Sequence, residues 1–250
     1  MFLFIVKREK ERDTIMEKII KPVAVIHTQF PDKFGIPRQS GLVPSLRAEI
    51  VFEPEYRNPD AIRGIEEYSH LWLIWEFSKA KQENISLTVT PPRLGGKEKK
   101  GVFATRAPYR PNSLGLSSVK LEEVYIDAKR GPVLVVSGAD LLDKTPIYDV
   151  KPYLPYTDAH PDAQGSFGEV HKTDAITVIF PMDMKMRLPE ELRTSVEDVL
   201  KQDPRAAYNK KPDYVYGMRF GDYDIRFTVA KDVLTVEDVV MVKENFSKIK

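Results

Sequence analysis

Short apolar segments separated by Gly and Pro run through roughly the first two thirds of this sequence, and they limit its fold more than any other feature. In the segment Arg47–Phe52 apolar and polar side chains alternate, as in a strand with one buried face. Residues 71–77 are apolar on both faces, which predicts a central strand. Strands at such short intervals favour a small barrel or sandwich. A Rossmann fold is not indicated, because no G-x-G-x-x-G motif follows a predicted strand and opens a helix. The other predicted strands are residues 19–28, 86–90, 102–105, 117–125 and 133–137.

The last third of the chain predicts a second unit of mixed α and β structure. Residues 152–168 are rich in Pro, Asp, Gly and Ser and are typical of a connection between domains. Apolar residues recur at helical spacing from 188 to 200, with Pro189 at a first-turn position, and the predicted helix ends before Asp203-Pro204. A strand is predicted at residues 175–180, and alternating runs predict three more at 214–220, 225–229 and 234–236.

These elements predict a mainly β chain with two domains. We expect an N-terminal extension (1–18), a small β-barrel domain (19–165) and a small α+β C-terminal domain (166–250). Six apolar residues precede the charged run 7–13, which is the wrong order for a signal peptide. Together with the absence of an apolar run long enough to span a bilayer, this order leads us to expect a cytoplasmic protein without membrane contact.

Composition removes several classes of function. The 250 residues include no Cys, which excludes thiol nucleophiles, disulfide scaffolds and cysteine-bound metal clusters. With 38 Lys and Arg against 37 Asp and Glu, the formal net charge is +1, unlike that of a strongly basic nucleic-acid binder. The four histidines show no metal-ligand spacing, so we expect no metal site. Ser113 is not in a G-x-S-x-G motif, which argues against a serine hydrolase.

The segment 93–110 carries a local basic patch. It holds six Lys and Arg against the single Glu98, together with glycines and the aromatic residues Phe103 and Tyr109. Cationic side chains interleaved with aromatic rings suit a partner that contains phosphates and bases, although a solvated loop is the more common explanation of a generic basic segment. Arg106 follows a predicted strand, and strand ends are common places for ligand-binding groups. The acidic residues near Asp140 are explained by loop geometry and ion pairing more often than by catalysis.

Five motifs in one order resemble the TrmO/YaeB-like family of S-adenosylmethionine-dependent tRNA methyltransferases. The resemblance covers residues 19–160, and a DPR-x-x-Y element at residues 203–208 indicates the two-domain form of that family. Ala107, Lys144 and Ala206 depart from residues that are frequent in it. The motifs are PRQSGL (37–42), SHLWL (69–73), PPRLGG (91–96), GVFATRAPYRPNSLGL (101–116) and DLLDKTPIYDVKPYLPY (140–156).

The resemblance implies a β-barrel enzyme that methylates N6 of N6-threonylcarbamoyladenosine at position 37, in the tRNA anticodon loop. It also implies a homodimer with S-adenosylmethionine held near the dimer contact. By motif position, the implied substrate contacts are Asp203, Pro204, Arg205 and Tyr208. The implied cofactor contacts are Gln39, Ser40, Gly41, Ser78, Lys79, Arg106, Leu116, Ser137, Gly138, Ala139 and Asp140.

The chemistry of methyl transfer suggests roles for some of these residues. Arg106 suits the carboxylate end of the cofactor or the RNA, because a sulfonium cation repels it. The acceptor nitrogen must lose a proton, and Asp140 and Tyr208 are the candidate bases, so the candidate catalytic residues are Arg106, Asp140 and Tyr208. Tyr109 and Tyr208, with Arg110 and Arg205 beside them, suit stacking on an unpaired base, although packing at a domain junction is the simpler role.

Two other functions remain open at this level. A methyltransferase of the same fold could act on another small or nucleotide substrate, and a non-catalytic RNA-binding module could share the barrel. The DPR-x-x-Y element favours the tRNA enzyme over a methyltransferase with another substrate. Arg106 and the segments 37–42 and 137–140 favour an enzyme over a non-catalytic module. We expect the barrel alone to hold the cofactor, so that truncation after residue 165 leaves cofactor binding largely intact.

Overall fold

The computed structural model describes residues 19–80, 86–91, 98–165, 175–205 and 214–242. The predicted N-terminal extension and Tyr208 lie outside these residues. The described α-helices are α1 (Pro155–Asp158), α2 (Met182–Lys185) and α3 (Glu190–Lys201). The described strands are β1 (Ala24–His27), β2 (Arg47–Phe52), β3 (His70–Glu76), β4 (Thr88–Val89), β5 (Lys100–Gly101), β6 (Leu114–Asp127), β7 (Gly131–Ser137), β8 (Thr145–Pro152), β9 (Thr177–Ile179), β10 (Tyr216–Phe220), β11 (Tyr223–Ala230) and β12 (Val233–Met241).

A closed six-stranded barrel confirms the predicted fold class. Its order is β1-β2-β7-β6-β3-β8, with every neighbouring pair antiparallel. The predicted strand 47–52 coincides with β2. The predicted central strand corresponds to β3, which pairs with β6 on one side and β8 on the other. Its inward residues Leu71, Leu73 and Trp75 are buried, whereas alternate residues face outward and are half-buried.

Two parts of the barrel region differ from the sequence prediction. Residues 102–105 are a short 3-10 helix, Val102–Ala104, followed by an extended Thr105, so the predicted strand is wrong. Here side chains, rather than a neighbouring strand, supply hydrogen bonds to the backbone. Thr105 Oγ1 donates to the Val102 carbonyl at 3.0 Å, and Arg110 Nη1 donates to the same oxygen at 3.0 Å. Strand β8, which closes the barrel, was not predicted, because its prolines and charged residues obscure the alternating pattern.

The C-terminal sheet confirms the predicted α+β unit. Its order is β10-β11-β12-β9, with β9 parallel to β12. Helix α3 matches the predicted helix and buries Val196, Val199 and Leu200, while Pro189 is its N-cap rather than a first-turn residue. Within the described ranges, no helix is both long and apolar enough to cross a membrane.

The segment between β1 and β2 leaves the barrel and joins the core of the C-terminal sheet. Phe30, Val43 and Leu46 are buried in that second core. The Phe30 ring meets the Phe220 ring edge to face, with centroids 5.4 Å apart. Gly35 has a φ of +96°, and a Cβ atom there would lie 2.5 Å from Met218 Sδ, so only glycine permits this close approach. The C-terminal core is thus shared by residues from both halves of the chain, whereas the barrel has a separate core of its own.

Hydrogen bonds fix both ends of this segment to the C-terminal unit. At its start, the Gly221 N–H donates to the Gln29 carbonyl at 2.7 Å. At its end, Ser195 Oγ on α3 donates to the Ser45 carbonyl at 2.7 Å, and Ser45 Oγ donates to Asp198 Oδ2 at 2.8 Å. Truncation after residue 165 would expose Phe30, Val43 and Leu46 to water. The truncated barrel would therefore carry exposed apolar side chains, and our expectation that it holds the cofactor alone stays a prediction.

We predict that Phe30→Ala destabilises the whole protein by about 3–5 kcal/mol, because it opens a cavity in the shared core. Phe103→Ala is the matched control, since the Phe103 side chain is 77% exposed, and it should change stability by less than about 0.5 kcal/mol. Urea unfolding followed by circular dichroism measures both changes. Equal stabilities for the two variants would contradict a shared core.

Candidate functional site

A cavity of about 600 Å³ opens where the β1–β2 segment, the ends of β3 and β8, and the start of β6 meet. Its volume falls within the range of about 300–1,000 Å³ that is usual for small-molecule sites. Six of the residues implied by the family resemblance line it: Gln39, Ser78, Lys79, Arg106, Leu116 and Asp140. Residues distant in sequence therefore converge on one site.

One wall of the cavity is apolar and aromatic. The Trp75 and Phe77 rings lie with centroids 4.3 Å apart, and Ile74 and Leu116 extend the wall. Gly115 faces the Trp75 ring so closely that a Cβ atom there would lie 2.3 Å from Trp75 Cε2. Leu116 is 55% exposed beside it. This wall suits a flat, weakly polar ring.

A second part of the cavity lining is cationic. Arg106 is exposed, and its Nη1 donates to Gln39 Oε1 at 2.6 Å. Gln39 Nε2 in turn donates to the Arg38 carbonyl at 2.5 Å, which orients the amide. No carboxylate of the described residues forms an ion pair with Arg106. A guanidinium held by a neutral amide keeps donors available for an anionic group.

Asp140 is the acidic group of the site. It is half-buried, and its Oδ1 accepts a hydrogen bond from Ser117 Oγ at 2.6 Å. Ser117 Oγ accepts from Trp75 Nε1 at 3.0 Å, so the carboxylate is tied to the aromatic wall. Burial is the largest influence and raises the pKa of Asp140, while Ser117, Arg106 and the Ser40 backbone partly offset it.

Two glycines bring the backbones of the site together. The Gly41 N–H donates to the Gly138 carbonyl at 2.8 Å, and the Gly138 N–H donates to the Leu46 carbonyl at 2.9 Å. Both glycines have positive φ angles, and a Cβ atom on Gly138 would lie 3.2 Å from Gly41 Cα. This contact holds the 37–42 motif against the end of β7.

Several implied cofactor contacts support the site without lining the cavity. They are Ser40, Gly41, Ser137, Gly138 and Ala139. Ser137 Oγ donates to Glu122 Oε1 at 2.6 Å, and both Ser137 and Ala139 are buried. The side chains of Ser137 and Ala139 thus belong to the packed end of the barrel.

Two arginines that the sequence associates with RNA are engaged within the protein. Arg110 Nη1 donates to the carbonyls of Val102 and Thr105 at 3.0 and 2.6 Å, which shapes the loop that carries Arg106. Arg205 is only 4% exposed, and its Nε and Nη2 donate to the two carboxylate oxygens of Asp203 at 2.8 and 2.9 Å. Both side chains therefore organise local structure.

The Asp203–Arg205 pair holds a tight turn beside the site. Asp203 has a φ of +47°, and the Arg205 guanidinium carbon lies 5.9 Å from the centroid of the Tyr216 ring. Arg38 Nη2 lies 3.4 Å from the carbonyl oxygens of Asp203 and of Arg205. The structure thus brings the C-terminal motif, including Pro204, next to the 37–42 motif.

Other residues of the cavity were missed by sequence reasoning. Glu76 lines it and accepts a hydrogen bond from the Tyr148 hydroxyl at 2.6 Å, which raises the pKa of Tyr148 to about 12. A charged residue at the end of an apolar strand was the available signal for Glu76. Lys33, whose Nζ donates to the Lys79 carbonyl at 3.0 Å, carried no comparable signal.

The fold and the site define a β-barrel protein with a cavity whose lining suits a small molecule that has a flat ring and an anionic end. Models of the tRNA-methyltransferase O N-terminal domain and of the TrmO C-terminal domain match residues 25–159 and 174–242. The chain therefore belongs to the tRNA-methyltransferase O (TrmO) family. Among the residues that the structure describes, no group of three or more His, Asp or Glu is placed to hold a metal ion.

Known relatives cover almost the whole chain. The tRNA (adenine(37)-N6)-methyltransferase of Escherichia coli K12 is 37% identical over 83% of this chain and 91% of its own length. A putative S-adenosylmethionine-dependent methyltransferase, RcsF, of Pseudomonas aeruginosa is 39% identical over 90% of this chain and 98% of its own. The crystal structure of TrmO from P. aeruginosa superposes with a TM-score of 0.72 at 33% identity, covering 91% of this chain and 98% of that one.

We predict that Gly115→Ala displaces the Trp75 ring, destabilises the protein by about 1–3 kcal/mol and weakens ligand binding at the aromatic wall. Gly101→Ala is the matched control, because no atom lies within 4 Å of its Cβ position and its φ of −60° suits alanine. That variant should stay within about 1 kcal/mol of the parent protein. Thermal unfolding and tryptophan fluorescence report the two effects, and an unchanged Trp75 signal in Gly115→Ala would refute the close packing.

We predict a pH-dependent gain in stability from Asp140→Asn. Because the folded-state pKa of Asp140 is raised above its ordinary 3.8, burial of the charge destabilises the fold fully above the folded-state pKa. This penalty declines as the pH falls through that value and is gone below 3.8, so the asparagine variant should lose its advantage there. Urea unfolding of both proteins near pH 7 and near pH 4 gives the comparison. An advantage that grows on acidification would contradict the raised pKa.

Proposed function

We propose that this protein transfers a methyl group from S-adenosylmethionine to N6 of N6-threonylcarbamoyladenosine at position 37 of tRNA. The observation that carries the proposal is the convergence of Gln39, Arg106 and Asp140 on one cavity with an aromatic wall. Both TrmO domain models match, and the E. coli relative is named as an adenine-37 N6-methyltransferase of tRNA. RcsF adds a second relative whose name specifies S-adenosylmethionine.

The residues of the cavity fit this methyl donor. Its adenine suits the wall formed by Trp75 and Phe77, and its carboxylate suits Arg106, whose guanidinium has no carboxylate partner among the described residues. Glu76 and Asp140 supply negative charge that complements a sulfonium and an ammonium group. When bound, S-adenosylmethionine supplies an electrophilic methyl group.

The protein's part in the reaction is then to position groups and to accept one proton. Gln39 orients Arg106, and the Ser117–Trp75 hydrogen bonds hold the Asp140 carboxylate in place. The acceptor nitrogen carries a proton that must leave as the new bond to carbon forms. A carboxylate with a raised pKa is a better proton acceptor than an ordinary one, so we assign this role to Asp140. Tyr208 stays a second candidate for the base, and it lies outside the described residues.

The partners follow from the same site. We infer that the anticodon loop approaches the cationic rim of Lys33, Arg38, Lys79 and Arg106, with the C-terminal domain (166–250) beside it. Its unpaired bases suit stacking on the exposed Tyr109. We also infer a homodimer that covers the exposed Leu116 and the half-buried Ile74 on the outer face of the barrel, and a cytoplasmic location.

The direct test is methylation of purified tRNA by the full chain. We expect the methylated nucleoside by mass spectrometry when the tRNA carries N6-threonylcarbamoyladenosine at position 37. An unmodified transcript of the same tRNA should stay unmethylated. Methylation of both RNAs would indicate a different acceptor, and binding of S-adenosylmethionine without any transfer to tRNA would indicate another substrate. RNA binding without binding of S-adenosylmethionine would indicate a non-catalytic module.

We predict that Arg106→Ala lowers methylation by about 10- to 100-fold, because a hydrogen bond to a charged group contributes about 1.5–3 kcal/mol. Its stability should change by less than about 0.5 kcal/mol, since the side chain is exposed. Arg63→Ala removes the same charge from a side chain that is 79% exposed and paired only with Asp60 among the described ion pairs. That control should keep full activity. An Arg106→Ala protein that unfolds would identify Arg106 as a structural residue.

A further inference from the structure

Arg38 lies between the C-terminal motif and the cofactor site. Its Nη2 is 3.4 Å from two carbonyl oxygens, those of Asp203 and Arg205. Its own carbonyl accepts the hydrogen bond that orients Gln39, and Gln39 Oε1 accepts from Arg106. A continuous series of polar contacts therefore runs from the C-terminal turn to the arginine that we assign to the methyl donor.

The C-terminal turn is itself rigid. The Arg205 guanidinium is buried and bonded to both carboxylate oxygens of Asp203, and the Arg205 N–H donates to Asp203 Oδ1 at 3.3 Å. These contacts fix the directions of the two carbonyls that face Arg38. A displacement of this turn as a unit would therefore alter both contacts of Arg38.

The contacts of Arg38 are also easily changed. Both are long for N–H···O hydrogen bonds, which cluster near 2.9–3.0 Å, and the side chain is exposed. A small shift of the C-terminal turn would shorten or break them at little energetic cost. By contrast, the ends of the segment that carries Arg38 are firmly held, at Phe30 by packing and at Ser45 by hydrogen bonds. The backbone is also held at Gly41, so the exposed side chains of Arg38 and Gln39 are the part of this segment able to respond.

We propose that Arg38 is a positioning residue that couples binding of tRNA at the C-terminal domain to binding of the methyl donor at the barrel. The proposal rests on the proposed function. RNA bound beside the turn at 203–205 tightens the contacts of Arg38, and Gln39 then holds Arg106 in the orientation that binds the donor's carboxylate. Such coupling is reciprocal, so each ligand raises the affinity for the other by the same factor.

The test is a thermodynamic cycle on the full-length protein. Isothermal calorimetry gives the Kd of S-adenosylhomocysteine with and without a saturating anticodon stem-loop that carries N6-threonylcarbamoyladenosine. It also gives the Kd of this stem-loop with and without saturating S-adenosylhomocysteine. We expect each ligand to tighten the other by about fivefold or more in the parent protein. Arg38→Ala should reduce this factor to less than about twofold, and Arg38→Lys, which keeps a charged donor, should restore part of it. Arg63→Ala, far from both motifs in sequence, should keep the parent value.

The outcomes separate this proposal from the proposed function. If the parent protein methylates the tRNA but its two ligands bind independently, the coupling is wrong and the function stands. The same conclusion follows if Arg38→Ala keeps the parent factor. An Arg38→Ala protein that does not unfold cooperatively on heating would assign Arg38 a structural role and overturn the proposal. If the parent protein binds neither ligand, the proposed function fails, and the coupling fails with it.

Discussion

The packing of the β1–β2 segment into the C-terminal core is the constraint on which the rest of this structure depends. Phe30 lies against Phe220, and Val43 and Leu46 join the same core, so burial of apolar surface holds together two units that would otherwise share few contacts. The turn of this segment, residues 37–41, is carried to the mouth of the barrel. All the residues that line the candidate site lie between Lys33 and Thr145, and the C-terminal core holds the segment that carries Gln39 in place.

Within the site, the state of each charged group follows from its partner. Arg106 is held by the neutral amide of Gln39 and keeps its charge available, whereas Arg205 is neutralised by Asp203 in a buried pair. Burial raises the pKa of Asp140 and suits it to accept a proton, and the hydrogen bond from Ser117 offsets only part of this effect. Arg106 thus keeps its charge available for a ligand, whereas Arg205 uses its charge within the protein. The sequence alone does not distinguish these two roles.

Elements were predicted correctly where apolar side chains recur with a clear period. They were missed or wrongly predicted where hydrogen bonds and tertiary contacts decide the local structure. Strand β2 and helix α3 were predicted because their apolar residues follow the period of the element. Residues 102–105 are as apolar as a strand, yet hydrogen bonds from Thr105 and Arg110 fold them into a 3-10 turn. Strand β8 carries Pro146 and Asp149 and is recognisable only by its partners β1 and β3.

The sequence by itself determined the mainly β class, the α+β C-terminal unit and the family, because periodicity and ordered motifs are local properties of the chain. It also indicated Gln39, Arg106 and Asp140, which occur within those motifs. Only the tertiary structure decided that β8 closes the barrel, that Arg110 and Arg205 are engaged internally, and that Arg38 lies between two distant motifs. These features depend on contacts between residues far apart in sequence, and such contacts are set by the packing of the whole chain.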